Sequence, residues 1–206
     1  MLTAFTASLL LITVSELGDK TFFIAAILAM QHSRRLVFVG VITALAGMTV
    51  LSVMLGQAVS ILPKVYIHHA EIILFIAFGI KLLYEATKMP ARSCDTEAVE
   101  EAKDAVAKAQ EHFKKGKTCW AVILEAFLLT FMAEWGDRTQ IATIALAAGN
   151  NPVGVTTGAV SGHAVCAAIA IASGRMLAGR ISERMLTFTG GSLFILFGII
   201  AAIEGA

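Results

Sequence analysis

Six apolar stretches dominate this chain, at about residues 3–30, 36–62, 66–87, 118–148, 153–177 and 185–203. A helix rises about 1.5 Å per residue and a bilayer's hydrocarbon core is about 30 Å thick, so each stretch can cross it, the longest with tilt or protrusion. They are too long for barrel strands and lack the alternation of one. The sequence therefore predicts an all-α membrane protein with six transmembrane helices. Composition agrees: 57% of the 206 residues are hydrophobic, 15% are charged and mean hydropathy is +0.79. A soluble fold carries about 25% charged residues, and this chain would lack the polar surface to cover its core.

The charges are segregated. Twelve of the 31 Asp, Glu, Lys and Arg residues fall in residues 89–117. Net charge is +1 and no run of five like charges occurs, so nucleic acid is not an expected partner. The three cysteines, Cys94, Cys119 and Cys166, have neither disulfide-framework nor zinc-site spacing. The N-terminal stretch lacks a basic region and a small-residue cleavage pattern, and it is expected to be a retained first span. With six spans, both termini share one side. The loops on the other side hold Arg34, Arg35, Lys88, Arg92, Lys103, Lys108, Lys114, Lys115, Lys117, Arg175, Arg180 and Arg184, against Lys64 alone opposite. The positive-inside rule puts those loops in the cytoplasm and both termini outside.

Residues 95–115 are rich in Ala, Glu and Lys, with acids preceding bases, which favours an amphipathic cytoplasmic linker helix. A metal-sensing role for its carboxylates is the alternative.

The chain also repeats itself. Glu16-Leu17-Gly18-Asp19-Lys20-Thr21 returns as Glu134-Trp135-Gly136-Asp137-Arg138-Thr139, an offset of 118 that also maps Gly40 on Gly158, Ala46 on Ala164 and Gly56 on Gly174. With one added residue, Leu74–Ile80 maps on Leu193–Ile199, and Glu85 on Glu204. The division expected is a first three-helix repeat (1–88), a charged linker (89–117) and a second repeat (118–206). Three spans is an odd number, so the copies enter the membrane from opposite sides. Secondary transporters are built this way, with the substrate site near the midplane.

Glu16, Asp19, Glu134 and Asp137 fall halfway through spans 1 and 4, where ionised groups are costly and face a bundle interior or water. A spacing of i,i+3 predicts both carboxylates of one motif on the same helical face. Gly18 and Gly136 permit close approach or local unwinding. Thr21 and Thr139 add hydroxyl oxygens. Together these residues would make an all-oxygen cage suited to a hard cation: Ca²⁺, Mg²⁺ or Mn²⁺. With Lys20 and Arg138, the four carboxylates sum to −2. One divalent cation or two protons would neutralise that, which predicts exchange of the ion for protons by alternating access. The competing structural role is a pair of intrahelical salt bridges, Glu16–Lys20 and Glu134–Arg138. Lys20 and Arg138 themselves are candidates either for counter-ions that replace the departed cation or for snorkelling and helix-pairing groups.

The doubled Glu-x-Gly-Asp-(Lys/Arg)-Thr motif, in six spans around a charged loop, resembles the Golgi, chloroplast and bacterial cation transporters once catalogued as uncharacterised protein family sixteen. SELGDKTFFIAAILAM and AEWGDRTQIA are similar to its cyanobacterial and plastid branch. The resemblance covers nearly the whole chain. It implies export of Mn²⁺, or alternatively Ca²⁺, from the cytoplasm in exchange for protons, with Glu16, Asp19, Glu134 and Asp137 binding the ion. It implies no enzyme activity and no resident cofactor, the bound ion being the transported one, in a bacterial plasma membrane or a cyanobacterial thylakoid membrane.

Several other residues carry open alternatives. His163, opposite Leu45 in the repeat, is a proton relay or a packing residue. Gln140 could lend an amide oxygen to the cation. Glu85 and Glu204 are gate carboxylates or solvated helix ends. Glu71 and Glu125 are expected at the membrane interface, and His68 and His69 on a solvated loop. An intramembrane Mg²⁺-dependent enzyme and a passive cation channel are the competing classes. The enzyme lacks an aspartate-rich cytoplasmic motif, HExxH or a nucleophile elbow; a channel would move the ion without moving protons.

Overall fold

In the computed structural model, residues 1–89, 97–112, 118–173 and 183–204 are described. Cys94, Gly174 and the basic residues Arg92, Lys114, Lys115, Lys117, Arg175 and Arg180 lie outside them, as does the side chain of Glu204. The described residues are helical apart from short breaks: α1 (Leu2–Glu16), α2 (Lys20–Gln31), α3 (Arg34–Val59), α4 (Lys64–Lys88), α5 (Glu97–His112), α6 (Cys119–Glu134), α7 (Arg138–Gly149), α8 (Pro152–Ser173) and α9 (Glu183–Glu204). Proline marks two starts, at Pro63 before α4 and at Pro152 as the first residue of α8, where the missing N–H costs nothing.

Helices α3, α4, α8 and α9 are long and apolar enough to cross a membrane. The pair α6–α7 makes a fifth span if its 74° bend is counted within one crossing, while α1 and α2 are shorter apolar helices. The first and fourth stretches are thus broken helices and not single rods. Exposure runs opposite to a soluble protein. Glu16, Ser8, Ser52, Thr130 and Glu134 are buried, whereas Ile61, Ile73, Trp120 and Met132 face outward.

Helix α1 packs along α8, α6 along α3, and α4 along α9. The contacts recur at the sequence offsets. A Cβ on Gly40 would meet the Ile123 carbonyl and Ala126, and one on Gly158 would meet their counterparts, the Phe5 carbonyl and Ser8. Glycine at 40 and 158 is therefore required by backbone-to-backbone approach. Between α4 and α9 the pairing is reciprocal, Phe75–Phe197 at 6.3 Å matching Phe78–Phe194 at 6.0 Å, with Phe75–Phe194 at 5.8 Å between them.

The linker helix α5 is amphipathic and lies against α2 and α6. Val99, Ala102 and Val106 recur on one face and are buried in a cluster with Phe22, Phe23 and Val37.

Candidate cation site

Each acidic motif sits where one helix stops and the next begins. Helix α1 ends at Glu16, Leu17 is extended, and Gly18 takes φ of +80°. Asp19 then caps α2, its carboxylate accepting the Lys20 N–H at 2.8 Å. The second copy repeats this: α6 ends at Glu134, Trp135 is extended, Gly136 takes φ of +81°, and Asp137 caps α7 by accepting the Thr139 N–H at 3.4 Å. Among the described residues, Gly18 and Gly136 alone have positive φ. That region is open to glycine and strained for residues with a Cβ.

The expectation that i,i+3 spacing puts Glu16 and Asp19 on one helical face is therefore corrected. No helix joins them, because glycine turns the chain and aspartate prefers to cap an N-terminus. Intrahelical i,i+4 bridges are lost for the same reason, and Glu16–Lys20 and Glu134–Arg138 are not ion pairs. What replaces the shared face is a shared gap. The last carbonyls of α1 and α6 and the first N–H groups of α2 and α7 meet there, bringing helix-end partial charges to the motif.

Across that gap Glu16, Glu134 and Asp137 each offer a carboxylate oxygen within 4.8 Å of the others. Thr21 Oγ1 donates to Glu16 Oε2 at 3.1 Å. Thr139 Oγ1 lies 3.3 Å from Glu134 Oε2 and 3.1 Å from Asp137 Oδ2. Glu16 Oε1 and Glu134 Oε1 are buried without a hydrogen-bond partner. Such orphaned oxygens are costly unless something positive joins them. Three of the four expected acids are therefore gathered. The fourth, Asp19, faces Arg138 of the other half, with Oδ2 3.8 Å from Nη2. Lys20, its repeat counterpart, makes no ion pair among the described residues. Gln140 turns its amide oxygen to the Gly136 N–H at 2.7 Å, so that oxygen supports the break.

Two small crevices, each of about 10 Å³, adjoin the acids. One is lined by Glu134, Thr139, Gln140 and Met48, the other by Glu16, Thr21, Phe22 and Cys166, and His163 lies in the wall of both. Met48 escapes the motif search because it lies outside the repeated hexamer, although the offset that maps Leu45 on His163 also maps Met48 on Cys166. A third space of about 40 Å³ opens beside Asp19 and Arg138. A separate cavity of about 440 Å³ is lined by Gln57, Lys64, His68, Glu71 and Asn150 at the α3–α4 turn and the end of α7.

Glu71 and Glu125, expected at the membrane interface, lie beside helix ends. Both are buried, Glu125 with Oε2 3.5 Å from His32 Nε2 at the end of α2, and Glu71 beside Gly149 at the end of α7. His68 and His69 belong to α4 rather than to a loop. Glu85 pairs with Lys81 at 3.8 Å on a partly exposed surface.

A family described as the divalent cation/proton antiporter GDT1 matches residues 4–90 and 122–206, on either side of the charged linker. A GDT1-like protein of Synechocystis sp. is 56% identical over 201 residues, covering 98% of this chain and 97% of the relative. GDT1-like protein 3 of Oryza sativa subsp. indica is 43% identical over 94% of this chain and 71% of its own length. GDT1-like protein 3 of Arabidopsis thaliana is 41% identical over 94% and 68%. No solved structure matches.

Proposed function

The chain belongs to the GDT1 family of divalent cation/proton antiporters, transporters and not enzymes, and on that premise we propose that it exports Mn²⁺ from the cytoplasm in exchange for protons. Ca²⁺ is the alternative cargo. Glu16, Glu134 and Asp137 bind the ion, Asp19 completes the acidic set, and Thr21 and Thr139 orient the carboxylates. The convergence of those acids from two distant segments, with buried oxygens left unpartnered, carries this reading.

The charge arithmetic supplies the coupling. An empty, fully ionised site in a low-dielectric interior is penalised, and either a divalent cation or protons relieve it. Because both act on the same oxygens, they compete, and competition for one site is what converts a proton gradient into ion movement. The chain works as six spans in two inverted repeats, 1–88 and 118–206, joined by the cytoplasmic linker, with both termini on the other side. Contacts that recur at the repeat offset support that topology. The 440 Å³ cavity lies at the end assigned to the outside, where it would serve release.

Reconstituted vesicles test this. Mn²⁺ movement should run against its own gradient when a proton gradient is imposed. Mn²⁺ flux indifferent to that gradient would make the protein a passive pathway.

A further inference from the structure

Beyond the acids, the crevice beside Glu134 holds donors of another kind. His163 is buried, 6% exposed, and its Nδ1 has no hydrogen-bond partner. It lies in the wall shared by the Glu134 and Glu16 crevices, beside the three carboxylates that lie within 4.8 Å of one another and not among them. Met48 lines the same crevice as Glu134. Its sulfur is held there by the motif: the Gly136 N–H binds Gln140 Oε1 at 2.7 Å, and Gln140 Nε2 binds Met48 Sδ at 3.2 Å. The equivalent sulfur of the other half, Cys166, is turned instead to the Thr13 carbonyl at 3.2 Å. The Glu16 crevice also has Phe22 where the Glu134 crevice has Gln140. Each crevice thus has one sulfur and shares His163, but the two are chemically unequal: the Cys166 thiol is spent on the Thr13 carbonyl, whereas the Met48 thioether is held by Gln140 on the Glu134 side.

We infer that the His163 imidazole and the Met48 thioether are specificity-determining donors that bias the site toward transition-metal cations over Ca²⁺ and Mg²⁺. Carboxylate and hydroxyl oxygens alone hold any of these hard ions, whereas imidazole nitrogen and thioether sulfur gain little from Ca²⁺ or Mg²⁺ and more from softer ions. A buried imidazole nitrogen without a partner is also costly to keep unless something occupies it. This inference rests on the cation site proposed above and names what chooses among its cargoes.

The test is equilibrium binding of Mn²⁺, Cd²⁺ and Ca²⁺ to the full-length protein in detergent, with vesicle transport beside it. Cd²⁺ is close to Ca²⁺ in size but far softer, so the pair separates donor chemistry from fit. The wild type should prefer Cd²⁺ and Mn²⁺ to Ca²⁺. Met48→Leu keeps volume and removes sulfur; it should cut the Cd²⁺/Ca²⁺ ratio about tenfold, the loss falling mainly on Cd²⁺. His163→Leu, the residue its repeat partner position already carries, should lower the Mn²⁺/Ca²⁺ ratio similarly, and His163→Gln should not restore it. Unchanged ratios, or equal losses for all three ions, would overturn the inference. A wild type that binds with this preference but moves no protons would sink the exchange reading and leave the selectivity inference standing.

Discussion

Arg138 of the second half reaches Asp19 of the first, Nη2 to Oδ2 at 3.8 Å, while the repeat counterpart of Arg138, Lys20, makes no ion pair among the described residues. The two motifs share their acids, glycine and threonine but are unequal in use. Because the Asp19 side chain is only 14% exposed, removing the cation leaves a nearly buried carboxylate without its guanidinium partner. Arg138→Gln should slow Mn²⁺ transport at least tenfold and destabilise the protein by no more than about 3 kcal/mol, since Arg138 is part-exposed. Lys20→Gln should have the smaller effect on both. Equal defects in transport and melting would show that the asymmetry has no functional weight.

The glycines at the breaks make a second comparison. Gly136 has open space around it, so Gly136→Ala imposes only the left-handed backbone, a penalty of about 1–2 kcal/mol. At Gly18 an added Cβ would also strike the Leu186 side chain. Thermal melting in detergent should rank wild type above Gly136→Ala, and Gly136→Ala above Gly18→Ala. A Gly136→Ala protein as stable as the wild type would argue against a fixed break.

Threonine hydroxyls orient the acids, unequally. Thr139 Oγ1 lies 3.3 Å from Glu134 and 3.1 Å from Asp137, while Thr21 Oγ1 lies 3.1 Å from Glu16. Hydrogen bonds to charged groups contribute about 1.5–3 kcal/mol. Thr139→Val should weaken Mn²⁺ binding about tenfold, and Thr21→Val less, in a calorimetric titration. The reverse order would mean that the ion is held mainly by the Glu16 side.

Helix α5 should behave as a docked element. Ala102 is fully buried against the bundle, so Ala102→Asp places a charge in the apolar cluster. Limited proteolysis should cut the variant in residues 97–112 faster than the wild type. Identical digestion would mean that this helix is not held on the bundle.

Much of this is legible in the sequence. The apolar stretches, the offset of 118 and the doubled acids foretold a helical membrane protein with acids meeting in its interior. Where the sequence misled, the cause was local. Helical spacing placed Glu16 and Asp19 on one face, but Gly18 and the capping preference of Asp19 outweigh the apolar pattern around them. Glu125 has no acidic counterpart in the repeat, so the sequence could not foretell its partner, His32 at the end of α2. Met48 could not be singled out by composition, because a methionine in an apolar span is ordinarily packing; its link to Gln140 exists only once α3 and α7 are side by side.

The most direct measurement is proton release accompanying Mn²⁺ entry into vesicles, recorded for the wild type and Glu134→Gln with a pH dye and a metal indicator together. The wild type should release protons in step with Mn²⁺, close to two per ion as the charge arithmetic expects, and Glu134→Gln should lose both signals. Mn²⁺ entry without proton release in the wild type, or unaltered signals in the variant, would contradict the account.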